Sequence, residues 1–157
     1  MSEERAPSPR LGGVIHGLVA ADHFDAIEQL SSLLGEKLTL SDAIRISAGA
    51  IARESLVSTH IGLGAAIPHA RLPALDHFLI AVGLCTKPVQ WGESKAEVRV
   101  VVLSAVPYNA NIPYLAFVKG LIQALKSEDQ RAELMMAADE ASLRHWLGRH
   151  LNLHESA

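Results

Sequence analysis

Apolar positions along the chain follow two regimes. Early and late they recur every three or four residues; in the middle they run almost without interruption. Phe24, Ile27, Leu30 and Leu34 share one side of a helix predicted over 22–34, with Gly35 as its stop. A second helix is predicted over 41–54, capped by Thr39 or Ser41, with Ile44, Ala48 and Ile51 on a common face. The runs 77–84 and 98–106 predict strands covered on both sides, and Pro88 to Trp91 between them predicts a short edge strand or a turn. Pro113 suits the first turn of a helix carrying Tyr114, Phe117, Leu121 and Leu125, and further helices are predicted over 128–137 and 141–151. Helices before and after buried strands predict an α/β domain, a three-layer α/β/α sandwich with a central mixed β-sheet flanked by helices.

The length of 157 residues fits one domain. Residues 1–10 read as a disordered tail, 11–151 as the domain and 152–157 as a fraying C-terminal tail. Aromatic residues are only 4%, so the core must be built from aliphatic side chains. The net charge of -3 is no footprint for nucleic-acid binding. One cysteine, Cys85, excludes an intramolecular disulfide and fits a reducing, cytoplasmic setting. No stretch approaches the ~20 apolar residues of a spanning helix, so no direct membrane insertion is expected. The histidines show no metal-binding spacing, and neither a metal nor a cofactor is expected.

Candidate chemistry concentrates in 58–71, which reads as a loop, a short strand and a second loop. Gly62 and Gly64 permit close approach of a ligand to backbone N–H groups, which suit phosphate oxygens. Pro68 fixes the backbone before His69, and Arg71 supplies a cation two residues on. A neutral imidazole has a free lone pair that can attack phosphorus. Such a site needs positioning and oxygen donors more than proton chemistry.

The run Ser58-Thr59-x-Ile61-Gly62-x-Gly64-x-Ala66-Ile67-Pro68-His69-Ala70-Arg71 closely resembles the phosphohistidine signature of phosphotransferase system enzyme IIA domains of the fructose/mannitol class, which includes the nitrogen-regulatory enzyme IIA-like proteins. The likeness extends over about 18–147, through Arg53-Glu54, Trp91-Gly92 and the strand ending in Ala105-Val106-Pro107. It implies that His69 accepts phosphate from the histidine-containing phosphocarrier protein. His69 would then pass it to a IIB component, or hold it as a signal to a regulatory target protein. It also implies that Arg53 is the active-site arginine, able to grip phosphoryl oxygens bidentately, with the Thr59 hydroxyl donating to the same oxygens. Where the family usually carries a second histidine, this chain has Tyr114, which can still donate a hydrogen bond but cannot become a cation. That departure points toward a regulatory or divergent member.

Overall fold

The computed structural model describes residues 7–155. Its two longest strands, β5 (Leu79–Trp91) and β6 (Ala96–Pro107), are antiparallel neighbours at the centre of a six-stranded sheet. Successive side chains of a strand point to opposite faces, so an unbroken apolar run has to be covered twice. Ile80, Val82, Leu84, Val100 and Val102 pack in one core; Leu79, Ala81, Val101, Leu103 and Ala105 pack in the other.

The second of these cores is closed by α1 (His23–Gly35) and α2 (Leu40–Leu56), through Ile27, Leu30, Leu34, Ile46 and Ala50. The first is closed by α3 (Asn111–Lys126), α4 (Glu128–Met135) and α5 (Glu140–Leu151), through Phe117, Leu121, Leu125, Leu134 and Trp146. Asp22, Thr39, Ser127 and Asp139 each cap a helix by accepting an N–H from its first turn. The expected three-layer α/β/α sandwich with a mixed sheet is the observed fold.

The remaining strands are β1 (Arg10–Leu18), β2 (His60–Gly62), β3 (Ala65–Ala66) and β4 (His69–Leu72). The sheet order is β1-β5-β6-β3-β2, and β4 also pairs with β6. Strand β1 runs parallel to β5, and β3 and β4 run parallel to β6; the β2/β3 and β5/β6 pairs are antiparallel.

Four local expectations are corrected. Strand β1 starts at Arg10, inside the segment read as a tail; residues 1–6 of that tail lie outside the described residues. Glycines disguised this strand. A Cβ on Gly12 would collide with Leu34 Cδ2, and one on Gly13 would lie 2.8 Å from Leu33 Cδ2, so α1 seats directly on the β1 backbone. The described part of the C-terminal segment 152–157 is docked rather than frayed. Leu153 is 1% exposed, and Leu11 N–H donates to the His154 carbonyl at 2.8 Å. On α2 the inward residues are Ala43, Ile46, Ala50 and Glu54, while Ile44 is 61% exposed. Last, Pro88 lies within β5 itself, because a register shift between Leu84 and Val89 accommodates the missing N–H.

Candidate functional site

His69 is the first residue of β4, not a loop residue as expected. It lies opposite Ser104 in the parallel register of β4 and β6, and Ser104 N–H donates to the Pro68 carbonyl at 3.1 Å. Alternation along β4 turns Ala70 and Leu72 into the core beneath α1 and α2. His69 and Arg71 therefore share the opposite face, the side of α3.

There the first turn of α3 brings Tyr114 against the imidazole, with ring centroids 5.1 Å apart. His69 Nδ1 lies 3.2 Å from the Ile67 carbonyl and 3.1 Å from the Tyr114 hydroxyl. A carbonyl only accepts, so the hydrogen-bond network assigns the proton to Nδ1. Nε2 is left with its lone pair. Burial is the largest influence on the ring and lowers its pKa below the ordinary 6.5; the Ile67 carbonyl opposes this, the Arg53 guanidinium reinforces it, Glu54 opposes it and Arg71 reinforces it. The ring is thereby kept neutral and nucleophilic at neutral pH. Burial also pushes the Tyr114 phenol up to about 12, against the opposing pull of Arg53 and Arg71.

Arg53 lies in the last turn of α2 and donates to the Val57 carbonyl at 2.8 Å. This contact uses one of the five N–H donors of a guanidinium. Neither Arg53 nor Arg71 has an ion-pair partner among the described residues. Both guanidinium groups lie close enough to lower the His69 pKa by charge repulsion.

Three other expected site residues do something else. Gly62 and Gly64 belong to the β2–β3 hairpin. Leu63 (φ 58°) and Gly64 (φ 71°) form its two-residue turn, which needs positive φ at both positions. Ala65 pairs with Val100 and His69 with Ser104, so the hairpin lies four β6 positions from His69. At the usual strand rise that is about 13 Å, too far for a phosphate cradle. The Thr59 hydroxyl spends its single hydrogen on Glu54 Oε2 at 2.5 Å, so it has none to donate to a phosphoryl oxygen.

Residues 12–149 match the family described as "Phosphoenolpyruvate-dependent sugar phosphotransferase system, EIIA 2". The chain belongs to this family. Members of this EIIA family are phosphotransferases that work through a phosphohistidine. The chain is 31% identical over 118 residues to a nitrogen regulatory protein of Pseudomonas aeruginosa, an alignment covering 74% of this chain and 77% of that one. It is 30% identical over 91 residues to a multiphosphoryl transfer protein of Shigella flexneri, covering 58% of this chain but only 11% of that longer protein. Among solved structures, nitrogen regulatory protein IIA-Ntr of Neisseria meningitidis superposes with TM-score 0.74 at 25% identity, covering 87% of this chain and 95% of that one. The mannitol IIA of Escherichia coli shares the fold, with TM-score 0.70 at 20% identity, covering 87% of this chain and 96% of that one.

In this EIIA chain the least legible part of the site is Glu54. The carboxylate is 6% exposed and takes three donors: Thr59 N–H at 2.8 Å, the Thr59 hydroxyl, and the Trp91 indole N–H at 2.7 Å. It ties the end of α2, next to Arg53, to the strand leading toward His69 and to the end of β5. Its only sequence signal is a carboxylate on the apolar face of an amphipathic helix, which burial forces to find partners. Ile67 was equally hidden, since it acts through a carbonyl that every residue possesses.

Proposed function

We propose that the protein is a phosphohistidine carrier of the phosphoenolpyruvate-dependent phosphotransferase system, with Nε2 of His69 as the acceptor. The observation that carries this reading is the engagement of Nδ1 by Ile67 and Tyr114, which leaves Nε2 as the free nucleophile in the field of two guanidinium groups without ion-pair partners among the described residues. The donor is the histidine-containing phosphocarrier protein. The Nε2 lone pair attacks phosphorus, a new N–P bond forms as the donor's N–P bond breaks, and the departing imidazole keeps that electron pair. The Nδ1 proton stays in place. Arg53 and Arg71 hold the equatorial oxygens, where charge gathers in the loose transition state.

The phosphoryl group then passes to a IIB component or is held as a regulatory signal in the cytoplasm. Tyr114 favours the second fate, because a neutral phenol cannot supply the cation that would help expel the group. In that role a phosphate adds roughly -1.5 to -2 charges to a cationic face and so remodels a docking surface for a kinase, transporter or transcription regulator.

Incubation with phosphoenolpyruvate, enzyme I and the phosphocarrier is expected to give an acid-labile adduct of one phosphoryl group per chain, lost in His69→Ala. An unlabelled wild type, or a labelled His69→Ala, removes the reading. Pull-downs with and without phosphorylation are expected to differ in partner or affinity; identical behaviour removes the regulatory role.

A further inference from the structure

A cavity of about 540 Å³ is lined by none of His69, Arg53, Arg71 or Tyr114. It opens between the start of α1, the end of α2 and the turn joining β5 to β6. Its volume is in the range of small-molecule sites. Glu54 lines it, together with the hydroxyl-bearing Ser55, Ser58 and Ser94. One wall is the ring pair His23 and Phe24, tilted by 30° with centroids 4.0 Å apart, and His23 in turn packs against Trp91 at 5.4 Å. Glu93 stands exposed at the mouth.

Two facts select the chemistry of an occupant. Among the described residues no lysine or arginine lines the cavity while two carboxylates do, which disfavours anions. Glu54 is also a buried carboxylate with no ion-pair partner among the described residues. A carboxylate offers roughly four lone-pair sites. Thr59 N–H and the Trp91 indole take two on Oε1 and the Thr59 hydroxyl takes one on Oε2, so one site on Oε2 stays open. Neutral donors soften the cost of burying a charge but do not compensate it as a cation does.

We propose that this cavity binds a small organic ammonium ion. One N–H⁺ donates to Glu54 Oε2, and the remaining N–H groups reach serine hydroxyls. The carbon body lies against the His23–Phe24 pair.

The test titrates ethanolamine hydrochloride into the full chain at constant ionic strength and follows the two indole N–H resonances by nuclear magnetic resonance. Trp91, hydrogen-bonded to Glu54, is expected to shift saturably below about 10 mM. Trp146, whose indole donates to the Gln130 carbonyl on the far side of the sheet, is expected to stay still. Tetramethylammonium, which has no N–H to donate, and inorganic phosphate are expected to leave Trp91 unmoved. Glu93→Lys alters only an exposed side chain, so the fold is retained; it is expected to weaken binding about fivefold or more by reversing a charge at the mouth. The proposal is overturned by a Trp91 signal that does not saturate, by equal shifts with tetramethylammonium, or by undiminished binding in Glu93→Lys. No phosphodonor takes part, so failure here is distinct from failure of the phosphocarrier reading.

Discussion

The Tyr114 hydroxyl lies 3.1 Å from His69 Nδ1, although the two residues are 45 positions apart in the chain. A phenol pushed up to about 12 by burial stays neutral through the whole range in which proteins work. The imidazole therefore has a neighbour whose charge does not change, and the Ile67 carbonyl alone already requires the proton on Nδ1.

Tyr114→Phe keeps the ring packing against His69 and Phe78 and deletes only the hydroxyl. A hydrogen bond of this kind is worth about 0.5–1.5 kcal/mol, so phosphoryl acceptance is expected to slow roughly two- to tenfold. Rapid-quench measurement of the phosphorylated fraction checks this. An unchanged rate would show that Ile67 fixes the ring unaided.

The lowered pKa of His69 has a definite sign in both activity and stability. Acceptance is expected to hold as pH falls from 8 to the ordinary imidazole value of about 6.5 and to decline only below it. The unfolded chain binds this proton more readily than the folded one, so the group's contribution to stability is present above about 6.5 and is lost as pH falls toward the folded pKa. Titration of the imidazole by nuclear magnetic resonance should give a midpoint below the ordinary value. Arg53→Ala should raise that midpoint, because a nearby cation is removed.

Arg53→Lys retains the charge but loses the planar fork. The expected result is a fall in phosphoryl acceptance of at least about tenfold with little change in thermal stability, since a single exposed contact to Val57 is lost. Arg71→Lys, on an exposed strand position, is expected to cost less. Equal effects of the two substitutions would contradict the assignment of Arg53 as the principal oxygen clamp.

Glu54→Gln replaces an acceptor-only group by one whose amide must face a donor. One of the Thr59 or Trp91 donors loses its partner inside the protein, at a cost of about 1–3 kcal/mol. For a chain of this size that corresponds to a fall in Tm of roughly 3–10 °C. Calorimetry measures it directly, and a Tm unchanged from wild type would mean that the carboxylate does not organise the end of α2.

Gly12→Ala places a methyl group against Leu34 Cδ2, at a position where α1 rests on β1. Overpacking of this kind costs about 1–3 kcal/mol, measurable as a lowered denaturant midpoint. A neutral outcome would show that α1 can lift from the strand without loss.

Much of this was written locally. The long apolar runs of β5 and β6 announced a sheet covered twice, and the helical spacing of Phe117, Leu121 and Leu125 announced the layer that covers one side. β1 was not legible, because its glycines record the closeness of Leu33 and Leu34 rather than any strand preference of their own. The glycines of the β2–β3 hairpin misled for the same reason: their freedom serves a turn, and only the pairing of Ala65 with Val100 shows how far that turn lies from His69.

By itself the sequence determined the layered α/β architecture and singled out the candidate imidazole, because periodic burial and a dense local motif are properties of neighbouring residues. Only the tertiary structure decided which imidazole nitrogen is free, which hydroxyl is already committed and which carboxylate is buried without a counterion. Those depend on groups brought together from α2, β4, β5 and α3, and no local pattern encodes the distance between them.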